Sequence, residues 1–122
     1  MAELSSIGFK ETYVASGNLT QFRFVRQVDQ DVYLADSGFA NGVVQNHPND
    51  NEFAAVVING PTKIQLSNSY GSGIFVGCGS GGYAVNASAG GVTSEGRKYG
   101  VLLVGGTSGA YGVMNFTNVG TL

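Results

Sequence analysis

This sequence predicts a small all-β fold, a glycine-rich β-barrel or β-sandwich with an extended N-terminal arm. Three observations carry that reading. Twenty glycines in 122 residues punctuate short runs of β-branched and aromatic residues. No segment holds the three-and-four apolar spacing of a helix of normal length. The strand-like runs recur about every ten residues, the interval of a sandwich or closed barrel.

Residues 1–16 are expected to form the arm, and residues 17–122 a single β domain. In the arm Ile7, Phe9 and Tyr13 alternate with Gly8, Lys10 and Thr12, which is strand periodicity. Such a segment suits addition to a partner's sheet edge; the plainer reading is a first strand of the chain's own sheet. Gly17-Asn18 is a turn, and Phe22 to Val28 reads as a strand with Phe22 and Phe24 on one face. Asp29-Gln30-Asp31 then turns the chain into Val32-Tyr33-Leu34-Ala35, a hairpin by composition. Residues 36–42 form a loop with room for one helical turn, and Gly42-Val43-Val44-Gln45 is the next strand.

Residues 46–52 make a polar, turn-rich and exposed excursion. Ala54-Ala55-Val56-Val57-Ile58 is apolar on both faces and so crosses the centre of the domain. Asn59-Gly60-Pro61 is expected to turn it into a hairpin with Lys63-Ile64-Gln65-Leu66, whose Ile64 and Leu66 face inward. The remaining strand candidates are residues 74–76, 83–85, 101–104 and 111–116, spaced by further glycines.

Reactive groups are sparse: one His, one Cys, no Trp, and carboxylates scattered singly. The chain is therefore read as non-enzymatic, without cofactor or metal. Gly77-Cys78-Gly79-Ser80-Gly81-Gly82 has dinucleotide-fingerprint spacing, but the glycines at 90 and 91 stop any helix behind it. Gly91 to Lys98 lacks the hydroxyl that follows the lysine of a phosphate loop. Cys78 lies among small residues, with no His, Lys or Arg beside it to lower its pKa. His47, with Asp50 or Glu52 to orient it, would be a general base standing alone. Asp50, Asn51 and Glu52, or Asp29 with Asp31, offer oxygens to a Ca²⁺ ion, yet turn chemistry explains those residues as well.

Charged residues make up 11% of the chain, about half the usual share, and net charge is −2. No basic run marks a nucleic-acid partner, and no apolar run reaches a membrane span. The N-terminus lacks a signal peptide's pattern, so synthesis and folding in a cytoplasm are expected. The Asn-x-Ser/Thr triplets at Asn18, Asn86 and Asn115 are chance in so Asn- and Ser-rich a sequence. Low charge points to a surface that meets other protein. Arg23 and Arg26, on the first body strand, are candidates to pair with an acidic partner; His47 and Asp50 are further candidate contacts.

The succession from Gly17 to Leu103 resembles the capsid decoration, or cement, proteins of tailed bacteriophages. Gly17-Asn18-Leu19-Thr20 leads into Phe22-Arg23-Phe24-Val25. A Val-x-Leu-Ala strand and Gly42-Val43-Val44-Gln45 follow, then a polar loop. Val57-Ile58-Asn59-Gly60 runs into Lys63-Ile64-Gln65-Leu66, and Tyr83-Ala84-Val85 precedes Gly100-Val101-Leu102-Leu103. The sequence departs from the family at Val76-Gly77-Cys78-Gly79, where an acidic turn is common. The resemblance implies a virion protein on the outer surface of the assembled head. It implies a homotrimer that reinforces contacts between neighbouring major capsid subunits, with no catalytic residues. On that reading Ile7, Phe9 and Tyr13 would pair with a capsid strand. The rival expectations are a head–tail or tail component, and a glycan-binding module of a virion fibre using Tyr70, Tyr83 or Tyr111.

Overall fold

Nine strands and one 3₁₀ turn make up the computed structural model, which describes residues 9–36, 39–87 and 98–117. The strands are β1 (Phe9–Ala15), β2 (Phe24–Val28), β3 (Asp31–Leu34), β4 (Gly42–Val44), β5 (Phe53–Gln65), β6 (Val76–Cys78), β7 (Ala84–Asn86), β8 (Gly100–Val104) and β9 (Tyr111–Phe116). Ser80–Gly82 forms the 3₁₀ turn. The expected all-β barrel is what the chain builds.

Five strands close on themselves in the order β1-β3-β2-β4-β5, with β1 pairing β5 to complete the circle. The β1–β3 contact is parallel and short, joining Val14 to Asp31 and Ala15 to Val32. The other four contacts are antiparallel. β9 and β8 extend the sheet from the far half of β5, and β6 with β7 forms a separate ribbon. Closure removes most of the exposed sheet edge that would otherwise invite aggregation.

Alternation of side chains divides the interior in two. Val25 and Val44 point into the barrel with Ala15, Leu19, Val32, Ala54 and Val56. Their chain neighbours Phe24 and Val43 point outward, yet they too are fully buried. They enter a second core with Ile64, Leu66, Tyr99, Leu102, Met114 and Phe116, which the β5–β9–β8 extension and the β6–β7 ribbon supply. Each such side chain contributes roughly 1.5–3 kcal/mol on burial. The barrel wall is thus apolar on both sides at Phe24-Val25 and at Val43-Val44, where adjacent residues of β2 and β4 are buried in opposite cores.

Two expectations need correction. The hairpin at Asn59-Gly60-Pro61 does not form: β5 runs straight through it for 13 residues. Gly60 adopts φ 108°, which changes the strand's course without reversing it. Residues before it pair with β1 and β4, and Gly60 to Gln65 pair with β9. Each half finds a six-position ladder elsewhere in the chain, so neither needs the other. The second correction concerns Phe22. It sits at φ 63° ahead of β2, and its half-buried ring packs against Tyr111 instead of joining Phe24 in the core.

Candidate functional site

The far half of β5, with β9 and β8, presents an outer face whose inner side covers the second core. Register fixes what lies there, because directly opposed residues share a face. Phe75, Val101, Asn115 and Pro61 form one row, and Val104, Val113 and Lys63 the next. Tyr111 lies opposite Gln65, and its ring meets the edge of Phe22 at 5.3 Å. A register shift between Leu102 and Val104 pushes Leu103 outward as well.

This face is unusually apolar for a surface. Val104 is 55% exposed, Leu103 51%, Tyr111 49% and Phe75 41%. The cations are Lys98, whose Nζ lies 5.1 Å from the Phe75 ring, and Lys63, 5.7 Å from Phe22. Both ammonium groups lie within cation–π range of aromatic rings. Contiguous exposed apolar residues with so little charge have the composition of a protein contact. Single residues hinted at none of this, since β5 is brought beside β9 and β8 from far earlier in the chain.

The residues singled out from the sequence fall elsewhere. Ile7 lies outside the described residues, as does the Phe9 side chain. Phe9 to Val14 pair with β5, and Val14 and Ala15 with β3. The alternation expected to serve a partner's sheet therefore closes the chain's own barrel, and half-buried Tyr13 packs against the barrel core. Its phenol is held above the ordinary 10.0, first by burial and then by the carboxylate of Glu11.

Arg23 does not face outward as a partner contact would. Its Nε donates to Gln65 Oε1 at 2.8 Å, Nη1 to the Gly81 carbonyl at 3.1 Å and Nη2 to Tyr83 Oη at 2.7 Å. The guanidinium also lies 3.8 Å from the Tyr83 ring centre. It clamps the 3₁₀ turn to the end of β5. Arg26 is exposed, with its guanidinium 5.4 Å from the Phe39 ring.

His47 is exposed on the 46–52 loop. Asp50, in the same loop, accepts the Gly17 N–H at 2.7 Å and donates its own N–H to Asn18 Oδ1 at 2.9 Å. The Leu19 N–H bonds the carbonyl of buried Pro48. Asp50 thus ties the loop to the 17–19 turn. Among the described residues no three His, Cys, Asp or Glu side chains converge on a metal position. Cys78 is buried in β6. Tyr83 is engaged by Arg23, and the Tyr70 hydroxyl lies 3.2 Å from Ser67 Oγ.

A closed five-stranded barrel extended by a three-stranded face defines the architectural class. No protein-family model matches the chain, and neither does any curated protein sequence. Among solved structures the chain is similar to the crystal structure of the head fiber gp8.5 N base in bacteriophage phi29. That similarity has a TM-score of 0.70 and covers 90% of this chain and 94% of the other, at 14% identity. The two share a fold.

Proposed function

We propose that this chain is a structural protein of a phage virion that decorates the outer surface of the capsid. In this reading it works as a homotrimer, binds the major capsid protein and stabilises contacts between capsid subunits. It carries out no catalysis and uses neither cofactor, nucleic acid nor membrane. The observation that carries the proposal is the exposed apolar face of β5, β9 and β8, where Val104, Leu103 and Tyr111 are the most exposed apolar side chains. Fold similarity to the base of a phage head fiber supports a virion role, and the cement-like order of strands supports a place on the head. A trimer touching several capsid subunits gains avidity, since each contact after the first is intramolecular. Binding only the expanded lattice would stabilise that lattice by linkage.

The same fold similarity favours a second reading, in which the barrel is the base of a head-attached fibre. Both readings require docking on the capsid, and they differ in whether the bound chain carries a projecting partner. The test is co-sedimentation of the purified protein with expanded capsids that lack it, followed by cryo-EM. Saturable binding at three-fold or quasi-three-fold positions is expected, lost when Leu103 and Val104 are both changed to Glu. Failure of the folded wild-type protein to sediment with capsids would overturn the proposal.

A further inference from the structure

The barrel closes incompletely at one corner. β1 and β3 pair only at Val14–Asp31 and Ala15–Val32, because the β2–β3 turn reverses the chain at Asp29, φ 54°. β1 extends five residues N-terminal to that point, where among the described residues it pairs with β5 alone. Backbone direction along β1 is fixed by its bonds. Ala15 N–H donates toward β5, at Glu52, whereas Val14 N–H donates across to the Gln30 carbonyl on the β3 side. Alternation then turns the N–H and C=O of Thr12 toward the β3 side, beyond the last ladder bond. They face an open cleft of about 520 Å³ between β1 and the β2–β3 turn.

The chemistry of that cleft is specific. Glu11 and Asp29 line it, together with Tyr13 and Phe53, and among the described residues no Lys, Arg or His does so. Phe53 is 72% exposed, the highest value among the exposed large apolar side chains. Lys10 is the cation next in sequence, and by alternation it projects from the opposite face of β1 to Glu11. Arg26, on the adjoining strand, is directed at Phe39. A strand edge with backbone groups turned to the cleft, two carboxylates and an exposed ring together fit an extended peptide carrying Lys or Arg.

We propose that an extended basic segment of the capsid subunit adds as a strand to β1 at residues 10–12, with its cations facing Glu11 and Asp29 and an apolar side chain on Phe53. This rests on the capsid-binding reading above. It also inverts the expectation drawn from the sequence: β1 receives a strand rather than donating one.

Two variants test it in the full chain. Thr12→Pro removes the outward N–H without altering charge, a change that strand edges tolerate. The double variant Glu11→Lys with Asp29→Lys reverses the cleft's charge through exposed side chains, and keeps the test open should the proline impair folding. Binding to expanded capsids is measured by sedimentation, with hydrogen exchange of residues 10–13 followed by mass spectrometry. Both variants, folded by circular dichroism, should bind at least tenfold more weakly, and wild-type residues 10–13 should exchange more slowly on capsids. Wild-type binding with unchanged exchange and undiminished variants would overturn the strand-addition site while leaving capsid binding intact. No wild-type binding at all would overturn both.

Discussion

Replacing Tyr99 by Phe removes the buried hydrogen bond between its hydroxyl and Ala40 in the second core. The Tyr99 side chain is fully buried, stacked on Phe116 with ring centres 5.7 Å apart and planes within 3°, and tilted against Phe24 at 5.6 Å. Its hydroxyl accepts the N–H of Ala40, itself fully buried, at 2.8 Å. Phe keeps the ring and its stacking, so lost apolar burial contributes almost nothing to the change. The substitution leaves the buried Ala40 N–H without this acceptor, which costs about 1–3 kcal/mol. An unfolding entropy of about 2.1 cal/mol/K per residue puts 1 kcal/mol at roughly 4 °C for a chain of this length. The expected fall in Tm is therefore about 4–12 °C by differential scanning calorimetry, with fold and aromatic packing retained in near-UV circular dichroism. A fall below about 2 °C would refute the reasoning, because the Ala40 N–H would then have found another partner at no cost.

Arg23→Ala should destabilise by about 1.5–3 kcal/mol in urea titration, and Arg23→Lys should restore little, since one ammonium cannot replace three forked donors and a stacked plane. Gly100→Ala should cost about 3 kcal/mol, because φ is +140° and the added Cβ would meet the Asn115 carbonyl oxygen. Gly109→Ala, at φ +80° with open space around it, should cost only about 1 kcal/mol, and equal losses at the two glycines would contradict the packing argument. The Tyr13 phenol should titrate above 10.0 by NMR, and Glu11→Gln should lower that value only in part, because burial is the larger cause. A phenol whose folded pKa is raised contributes stability that is complete below the unfolded value near 10.0 and is lost as pH rises through the folded one. The Tyr13 contribution should accordingly be flat through neutral pH and decline only in strong alkali.

Legibility differed between elements and assembly. The β2–β3 hairpin follows the sequence closely, since Asp29-Gln30-Asp31 is local turn chemistry between two alternating runs. Ile64 and Leu66 are buried as their alternation required. Asn59-Gly60-Pro61 carried equally good turn chemistry and makes no turn, because β1, β4 and β9 offer the two halves of β5 more pairing than they offer each other. Arg23 looked like a surface charge because Gln65, Gly81 and Tyr83 are 42 to 60 residues away in sequence.

The sequence by itself determined that this protein is all-β and roughly where most of its strands lie. Those properties depend on neighbours within a few residues, where strand geometry and glycine conformation act directly. Only the tertiary structure decided which strands meet. It drew Phe9–Ala15 into the barrel, assembled the apolar face from β5, β9 and β8, and left Thr12 beside a cleft because the β2–β3 turn reverses early. Pairing partners are set by competition among edges distant in the chain, and a one-dimensional pattern records the capacity to pair without recording the winner.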